Sequence, residues 1–297
     1  MTVMTQFSNI AHLANRTNST NTSATPRGKV YLVGAGPGAV DLITVRGAKL
    51  LAQANIVFYD ALVDPEMLTL CPQAEKIEVG KRCGKLSSAQ QFINKRLVDA
   101  AQKHQVIVRL KGGDPMLFGR ADEEIQTLKA AGIEVAVVPG ITAALAGAAS
   151  IQQSLTLRGV SRSVAFITLA QGAENLAPGQ PISNPSADTL VYYMGRKDAA
   201  RIAQQLIEQS PNQSSNTPVQ ILEAVSTPRE RLWTSTLQEL AFGKADQWFD
   251  SRSPALIMIG EALRDKAQSI QNLESPGSEI DNGLQDRQIL TNGRRSA

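Results

Sequence analysis

One short stretch limits what this chain can fold into more than any other: Val106–Glu124, VIVRLKGGDPMLFGRADEE. It opens with the β-type run Val106-Ile107-Val108 and breaks at Lys111-Gly112-Gly113-Asp114-Pro115. Two adjacent glycines followed by Asp-Pro neither continue a strand nor readily start a helix. They form a loop at the carboxyl end of a strand, where open α/β sheets hold their ligands. A helix is expected to resume near Phe118, with Glu123 and Glu124 in its early turns. A glycine-rich turn of no special purpose is the competing reading. Arg109, Lys111 and Arg120 weigh against it, because a plain turn has no need of three flanking cations.

Upstream, the same unit of strand, loop and helix recurs. Val30–Val33 reads as a strand, Gly34-Ala35-Gly36-Pro37-Gly38 as its loop, and Asp41–Ala54 as a helix spaced by Leu42, Val45, Leu50 and Leu51. The loop resembles a dinucleotide-binding turn but lacks the third glycine, and Pro37 removes an amide donor. It therefore suits a nucleoside without phosphates better than a pyrophosphate. Ile56–Tyr59 is a strand ending at Asp60, followed by a helix near Pro65–Leu70 and a strand near Ile77–Val79. The basic loop Gly80–Lys85 comes next, then a helix capped by Ser88 and running to about Lys103. After the central stretch, a helix to Ala131 and a strand at Glu134–Val138 lead to Pro139-Gly140 and a helix of small residues from Ile141. Strands alternating with helices imply a parallel sheet with right-handed crossovers.

Beyond residue 152 strands crowd together: Val164–Leu169, Thr189–Met194, Val219–Glu223, Arg231–Thr236 and Ala255–Ile259. Only the helices Lys197–Glu208 and Leu237–Phe242 stand clearly between them, so a second α/β domain with a mixed sheet is expected. The division is a tail over 1–27, domains over 28–140 and 141–266, and a second tail over 267–297. The first tail is rich in Thr, Ser and Asn and reads as disordered, a transit peptide being the alternative.

Composition matters here for what it excludes. The 297 residues suffice for two ordinary domains, and 42% hydrophobic with 19% charged content is that of a soluble globular protein. A net charge of +3 is too small to argue for nucleic acid. The cations nonetheless cluster at expected loops, which points to a polyanionic ligand if those loops share a rim. Cys71 and Cys83 lack metal-ligand spacing and the chain has only His12 and His104, so no metal site is expected. No apolar run approaches a membrane span, and a reducing cytoplasm fits the cysteine usage.

Seven blocks in order then point to a family: VYLVGAGPG (30–38), VFYDALV (57–63), VGKRCG (79–84), VRLKGGDPMLFGR (108–120), VVPGITAA (137–144), TLVYYMG (189–195) and SPALIMIGEAL (253–263). Together the stretch from Lys29 to Leu263 resembles the tetrapyrrole methylase family, in its uroporphyrinogen-III C-methyltransferase branch. The resemblance implies two α/β domains with the active site in the cleft between them, and a homodimer. It implies methyl transfer from S-adenosylmethionine to two pyrrole rings of uroporphyrinogen III, giving precorrin-2 for siroheme or cobalamin, with S-adenosylhomocysteine as by-product. Carried over, the cofactor-binding residues are Pro37, Gly112, Gly113, Asp114, Leu117, Thr142, Ala143, Met194 and a backbone position near Val225. Asp60 matches the proton acceptor and Lys81 the donor, Lys81 serving equally as a carboxylate anchor. The substrate's eight carboxylates call for arginine forks, with Arg82, Arg120, Arg158 and Arg162 as candidates.

Four departures lie mostly on or beside the substrate side: Ala39 for an acidic residue, Leu157 for a histidine, Thr168-Leu169-Ala170 for Thr-Gly-His and, near the adenosine, Val225 for a smaller residue. Alternatives are another methylase of the cobalamin pathway, a ribosomal-RNA methyltransferase, and a binding protein without activity. Some family members carry a fused dehydrogenase–ferrochelatase module, for which the N-terminal tail leaves no room.

Overall fold

The structure is a computed structural model that describes residues 27–79, 86–169, 185–210 and 212–264. The chain divides between Thr142 and Ala143 into two compact units, two residues beyond the expected Gly140.

The first unit carries five strands: β1 (Lys29–Gly34), β2 (Ile56–Tyr59), β3 (Glu75–Glu78), β4 (Val106–Lys111) and β5 (Val135–Val138). They pair in the order β3-β2-β4-β1-β5, every pair parallel. Its helices are α1 (Val45–Leu51), α2 (Leu86–Ala101) and α3 (Ala121–Ala130). Because successive strand residues point to opposite faces, β1 and β4, buried on both, carry apolar residues on both, β4 adding Arg109 and Lys111 on one of them. Val30, Leu32, Phe58 and Ile107 pack against Leu97 of α2 and Leu128 of α3. Val33, Val57, Val108 and Leu110 pack on the other face, against Leu51 of α1 and Met67.

The connections follow from these faces. Steps β1→β2 and β2→β3 run one way along the sheet over the Leu51–Met67 face. Steps β3→β4 and β4→β5 run the other way over the α2–α3 face. Reversing both direction and face preserves the hand, so all four crossovers share it, as the parallel-crossover rule requires. Neighbouring β1 and β4 therefore send their outgoing chains to opposite sides, the arrangement at whose carboxyl ends open α/β sheets hold their ligands.

Several local expectations change. The expected helix over Asp41–Ala54 splits into a 3-10 turn, Val40–Leu42, and α1. Thr44 makes the break by accepting a bond from Gly47 N–H at 3.1 Å, an N-cap. Pro65–Leu70 is a 3-10 rather than an α-helix, capped by Asp64, whose Oδ1 accepts from Glu66 N–H at 2.9 Å. Helix α2 starts at Leu86, so Ser88 lies inside its first turn and is not its cap. Helix α3 starts at Ala121 instead of near Phe118, because Phe118 and Arg120 hold left-handed backbone with φ of 53° and 54°.

The second unit carries β6 (Val164–Thr168), β7 (Thr189–Tyr193), β8 (Pro218–Glu223), β9 (Arg231–Thr236) and β10 (Ala255–Ile259). Their order is β6-β7-β10-β8-β9, with only β6–β7 parallel, a mixed sheet as expected. Helices α5 (Ala199–Gln209) and α6 (Leu237–Ala241) bury Ile202, Leu206 and Leu240 against Leu190, Tyr192, Ile221 and Ile257. Helix α4 (Ala143–Ser150) is built from small residues, and its Gly147 faces Leu222 of β8. Its Ala144 N–H donates to the Tyr193 hydroxyl at 3.2 Å.

Candidate functional site

At the carboxyl end of the first sheet three loops meet backbone to backbone. Ala35 N–H donates to Lys111 O at 2.8 Å, and Gly36 and Gly113 exchange bonds at 3.2 and 2.7 Å. Both glycines hold left-handed φ, 79° and 68°, which a side chain would strain. A Cβ on Gly140, after β5, would lie 2.2 Å from Gly113 O, and one on Gly34 would lie 2.5 Å from Gly140 Cα. Glycine is therefore imposed by contact at 34 and 140.

The two central glycines divide the work unequally. A Cβ on Gly112 would lie 2.7 Å from Leu62 Cβ, so protein fills that side. On Gly113, by contrast, nothing among the described residues comes within 4 Å of where a Cβ would sit. The open place in the junction is at Gly113.

Two carboxylates brace it. Asp114 accepts from Met116 N–H through Oδ1 at 2.8 Å and from Gly140 N–H through Oδ2 at 2.9 Å, tying the β4 loop to the β5 loop. Asp60, just past β2, accepts from Leu62 N–H at 3.0 Å and from Gly112 N–H at 3.2 Å. Its side chain keeps 24% of its surface exposed. Each oxygen of these groups can accept a further bond.

The cations of the central strand do not behave as expected. Arg109 and Lys111 share one face of β4 by the period of two, and both are buried, at 4% and 3% exposure. They are therefore unavailable to an external polyanion. Glu124 of α3, fully buried, answers both. Its Oε1 accepts from Arg109 Nε at 3.1 Å and Lys111 Nζ at 3.2 Å, and its Oε2 from Lys111 at 3.2 Å. Gln90 of α2 donates to Glu124 Oε1 at 3.2 Å and to Asn94 at 3.0 Å. Arg109 Nη1 also reaches to 3.9 Å from Asp60 Oδ2. Burial, then the neighbouring Arg109, hold the Lys111 ammonium below the usual lysine value, against Glu124's opposite pull. Glu124 escaped sequence reasoning, although it shares the buried stripe of α3 with Ala121 and Leu128. A carboxylate at such a spacing was the available signal.

The remaining expected residues fall as follows. Pro37 and Leu117 are half-buried in the loops after β1 and β4. Thr142 closes the first unit and Ala143 opens α4. Arg120 precedes α3 and is exposed, its fork already closed on Glu123 at 2.6 and 2.8 Å. Lys81 and Arg82 lie outside the described residues. In the second unit Met194 follows β7 in left-handed conformation (φ 57°) and is 54% exposed. Val225 is buried between Ala224 and Ser226, both with positive φ, and Ala224 N–H donates to Pro254 O at 3.0 Å. Such strain on non-glycine residues tends to gather at functional sites. Arg158 and Arg162 are exposed near the Leu157–Ser161 turn, with Arg162 beside Asp188.

Comparison with known proteins shows the family. Residues 29–241 match the model for Tetrapyrrole (Corrin/Porphyrin) Methylases. A siroheme synthase of Pseudomonas fluorescens (strain SBW25) is 43% identical over 253 residues, 84% of this chain and 53% of that protein. A siroheme synthase of Pseudomonas aeruginosa (strain UCBPP-PA14) is also 43% identical, over 80% of this chain and 51% of its own length. The chain thus spans about half the length of the curated relatives it matches. Among solved structures, uroporphyrin-III C-methyl transferase from Thermus thermophilus, complexed with S-adenyl homocysteine, is 38% identical with a TM-score of 0.67. That match covers 80% of this chain and 94% of the other. A cobalt precorrin-4 methyltransferase is 27% identical with a TM-score of 0.69, over 80% and 96%.

Proposed function

The chain belongs to the tetrapyrrole methylase family, and from that premise we propose that it methylates two pyrrole carbons of uroporphyrinogen III, giving precorrin-2. One observation carries the reading. Among the described residues nothing lies within 4 Å of where a Cβ on Gly113 would sit, in a junction of three strand-end loops and in a chain 38% identical to a uroporphyrin-III C-methyl transferase that holds S-adenyl homocysteine.

S-adenosylmethionine supplies the methyl group as a sulfonium and leaves as S-adenosylhomocysteine. The chain's part is to hold and orient, since proximity and alignment account for most of such an in-line transfer. Gly113 offers close backbone approach, and Asp114 keeps the loop in place while retaining acceptor capacity for an ammonium or hydroxyl. Pro37, Leu117, Thr142, Ala143, Met194 and the backbone near Val225 complete the proposed contacts.

A methylated pyrrole must lose a proton, and Asp60 is the proposed acceptor. Its two backbone bonds fix its direction, and its partial exposure leaves the carboxylate reachable. Arg120, Arg158 and Arg162, exposed and on short turns, together with Arg82 and Lys81, are the proposed anchors for substrate carboxylates. The Arg120–Glu123 pair does not oppose this role, since an exposed ion pair contributes only about 0–1 kcal/mol and exchanges readily.

Incubation with radiolabelled S-adenosylmethionine and uroporphyrinogen III tests the reading. Two methyl groups in the tetrapyrrole product support it, and absence of label overturns it. Label reaching only a later precorrin would assign another methylase of the pathway. No helix among the described residues is long and apolar enough to cross a membrane. A cytoplasmic homodimer is part of the proposal, checked by light scattering on the purified chain.

A further inference from the structure

We propose that Glu124 is a positioning residue that sets the placement of Asp60 through the buried cations Arg109 and Lys111. The inference rests on the reading of Asp60 as the proton acceptor, and deepens it.

The geometry is a closed circuit. Glu124 holds Arg109 by its Nε, leaving Nη1 to donate to Leu110 O at 3.0 Å and to face Asp60 Oδ2 at 3.9 Å. Glu124 also holds Lys111, the residue before Gly112, whose N–H donates to Asp60 Oδ2. One buried carboxylate thus anchors both sides of the strand end on which Asp60 rests. Two cations and two anions make the group neutral, which is the condition for burying it.

Among the described residues α2 contributes the uncharged Gln90 and Asn94 to this group. Asp60 is therefore faced by Arg109 and Lys111 from β4, and behind them by Glu124 from α3. Asp60 and Glu124 share the same pair of cations, and Glu124 keeps both turned toward α3. Without its carboxylate, Arg109 and Lys111 are left buried without their shared partner and close on Asp60, whose Oδ2 already lies 3.9 Å from Arg109 Nη1, turning it from the position its two backbone bonds give it.

The test uses three variants of the full chain: Glu124→Gln, Lys111→Met and both together. Each is read by kcat and KM for methyl transfer per folded molecule and by S-adenosylmethionine calorimetry, with Asp60→Asn beside them. Glu124→Gln should lower kcat about tenfold or more with S-adenosylmethionine affinity within about threefold of the parent. Combined with Asp60→Asn it should lower kcat no further, and a full further loss overturns the inference. If Glu124→Gln alone does not fold, the fall in kcat from Lys111→Met to the double variant, again charge-balanced, carries the same information. A purely structural Glu124 would lower Tm without lowering the kcat of the folded molecules, and an unchanged kcat overturns the inference. Asp60→Asn with the parent's kcat removes Asp60 as the acceptor whatever Glu124 does, so the two ideas fail separately.

Discussion

Asp114→Ala removes the brace between the β4 and β5 loops. In the folded chain its carboxylate takes one N–H from Gly140 at 2.9 Å, part-buried, and one from Met116 at 2.8 Å, exposed. A hydrogen bond to a charged group contributes about 1.5–3 kcal/mol, less where water can replace it. The Gly140 bond should count nearly in full and the Met116 bond only slightly, so the loss is about 2–3 kcal/mol. Urea denaturation should read that as a lower midpoint at unchanged slope. The same free energy loosens the loop that carries Gly113. It passes into S-adenosylmethionine affinity to the extent that binding needs the junction closed, a ceiling of about 100-fold. A direct contact from Asp114 to the ligand would add to this. Asp114→Asn should lose less, because one amide oxygen can still serve one of the two N–H groups. Calorimetric titration decides: affinity of Asp114→Ala within about threefold of the parent, under ~0.7 kcal/mol, would refute the placement of the ligand at this loop.

Other expectations follow from the same contacts. Gly140→Ala drives a Cβ to 2.2 Å from Gly113 O and should cost at least ~1–3 kcal/mol by overpacking, seen as a lower Tm. Gly113→Ala meets open space but a left-handed φ, so it should fold with ~1–2 kcal/mol lost and fail in S-adenosylmethionine binding by calorimetry; undiminished binding would count against the site. Arg120→Ala should weaken uroporphyrinogen III binding while leaving S-adenosylmethionine affinity and Tm nearly unchanged; equal loss for both ligands would remove Arg120 from the substrate side. Asp188 is held below its ordinary value of 3.8, first by Arg162 N–H and then by the Ser163 hydroxyl. Its stabilising effect is therefore fully present above that value and lost as pH falls through the lower folded one. Asp188→Asn should be less stable than the parent at neutral pH, and the difference in Tm should close on acidification.

Much of the fold was legible because it rests on local signals. Apolar runs broken by glycine and proline gave the strands of both sheets, and the crowding of strands after residue 152 gave the mixed second sheet. Apart from β3, which begins at Glu75 and not at the expected Ile77, the misplacements were mostly at helix starts. There a single cap such as Thr44, or a left-handed residue such as Arg120, decides between neighbouring registers. The junction of loops was legible in its glycines and its aspartates but not in how they divide the work. Gly112 and Gly113 look alike in sequence, yet Leu62 fills one and leaves the other open.

Sequence by itself determined the alternation that forces a parallel sheet, the loop that cannot be strand or helix, and the motif order that marks the family. Tertiary structure decided which charges face inward. Arg109, Lys111 and Arg120 stand within twelve residues, but the first two point from β4 toward α3 and meet Glu124, while Arg120 stays outside. The reason is physical: a cation's role depends on the dielectric and the partner that surround it. Both are supplied by α2 and α3, which pack on that face of the sheet.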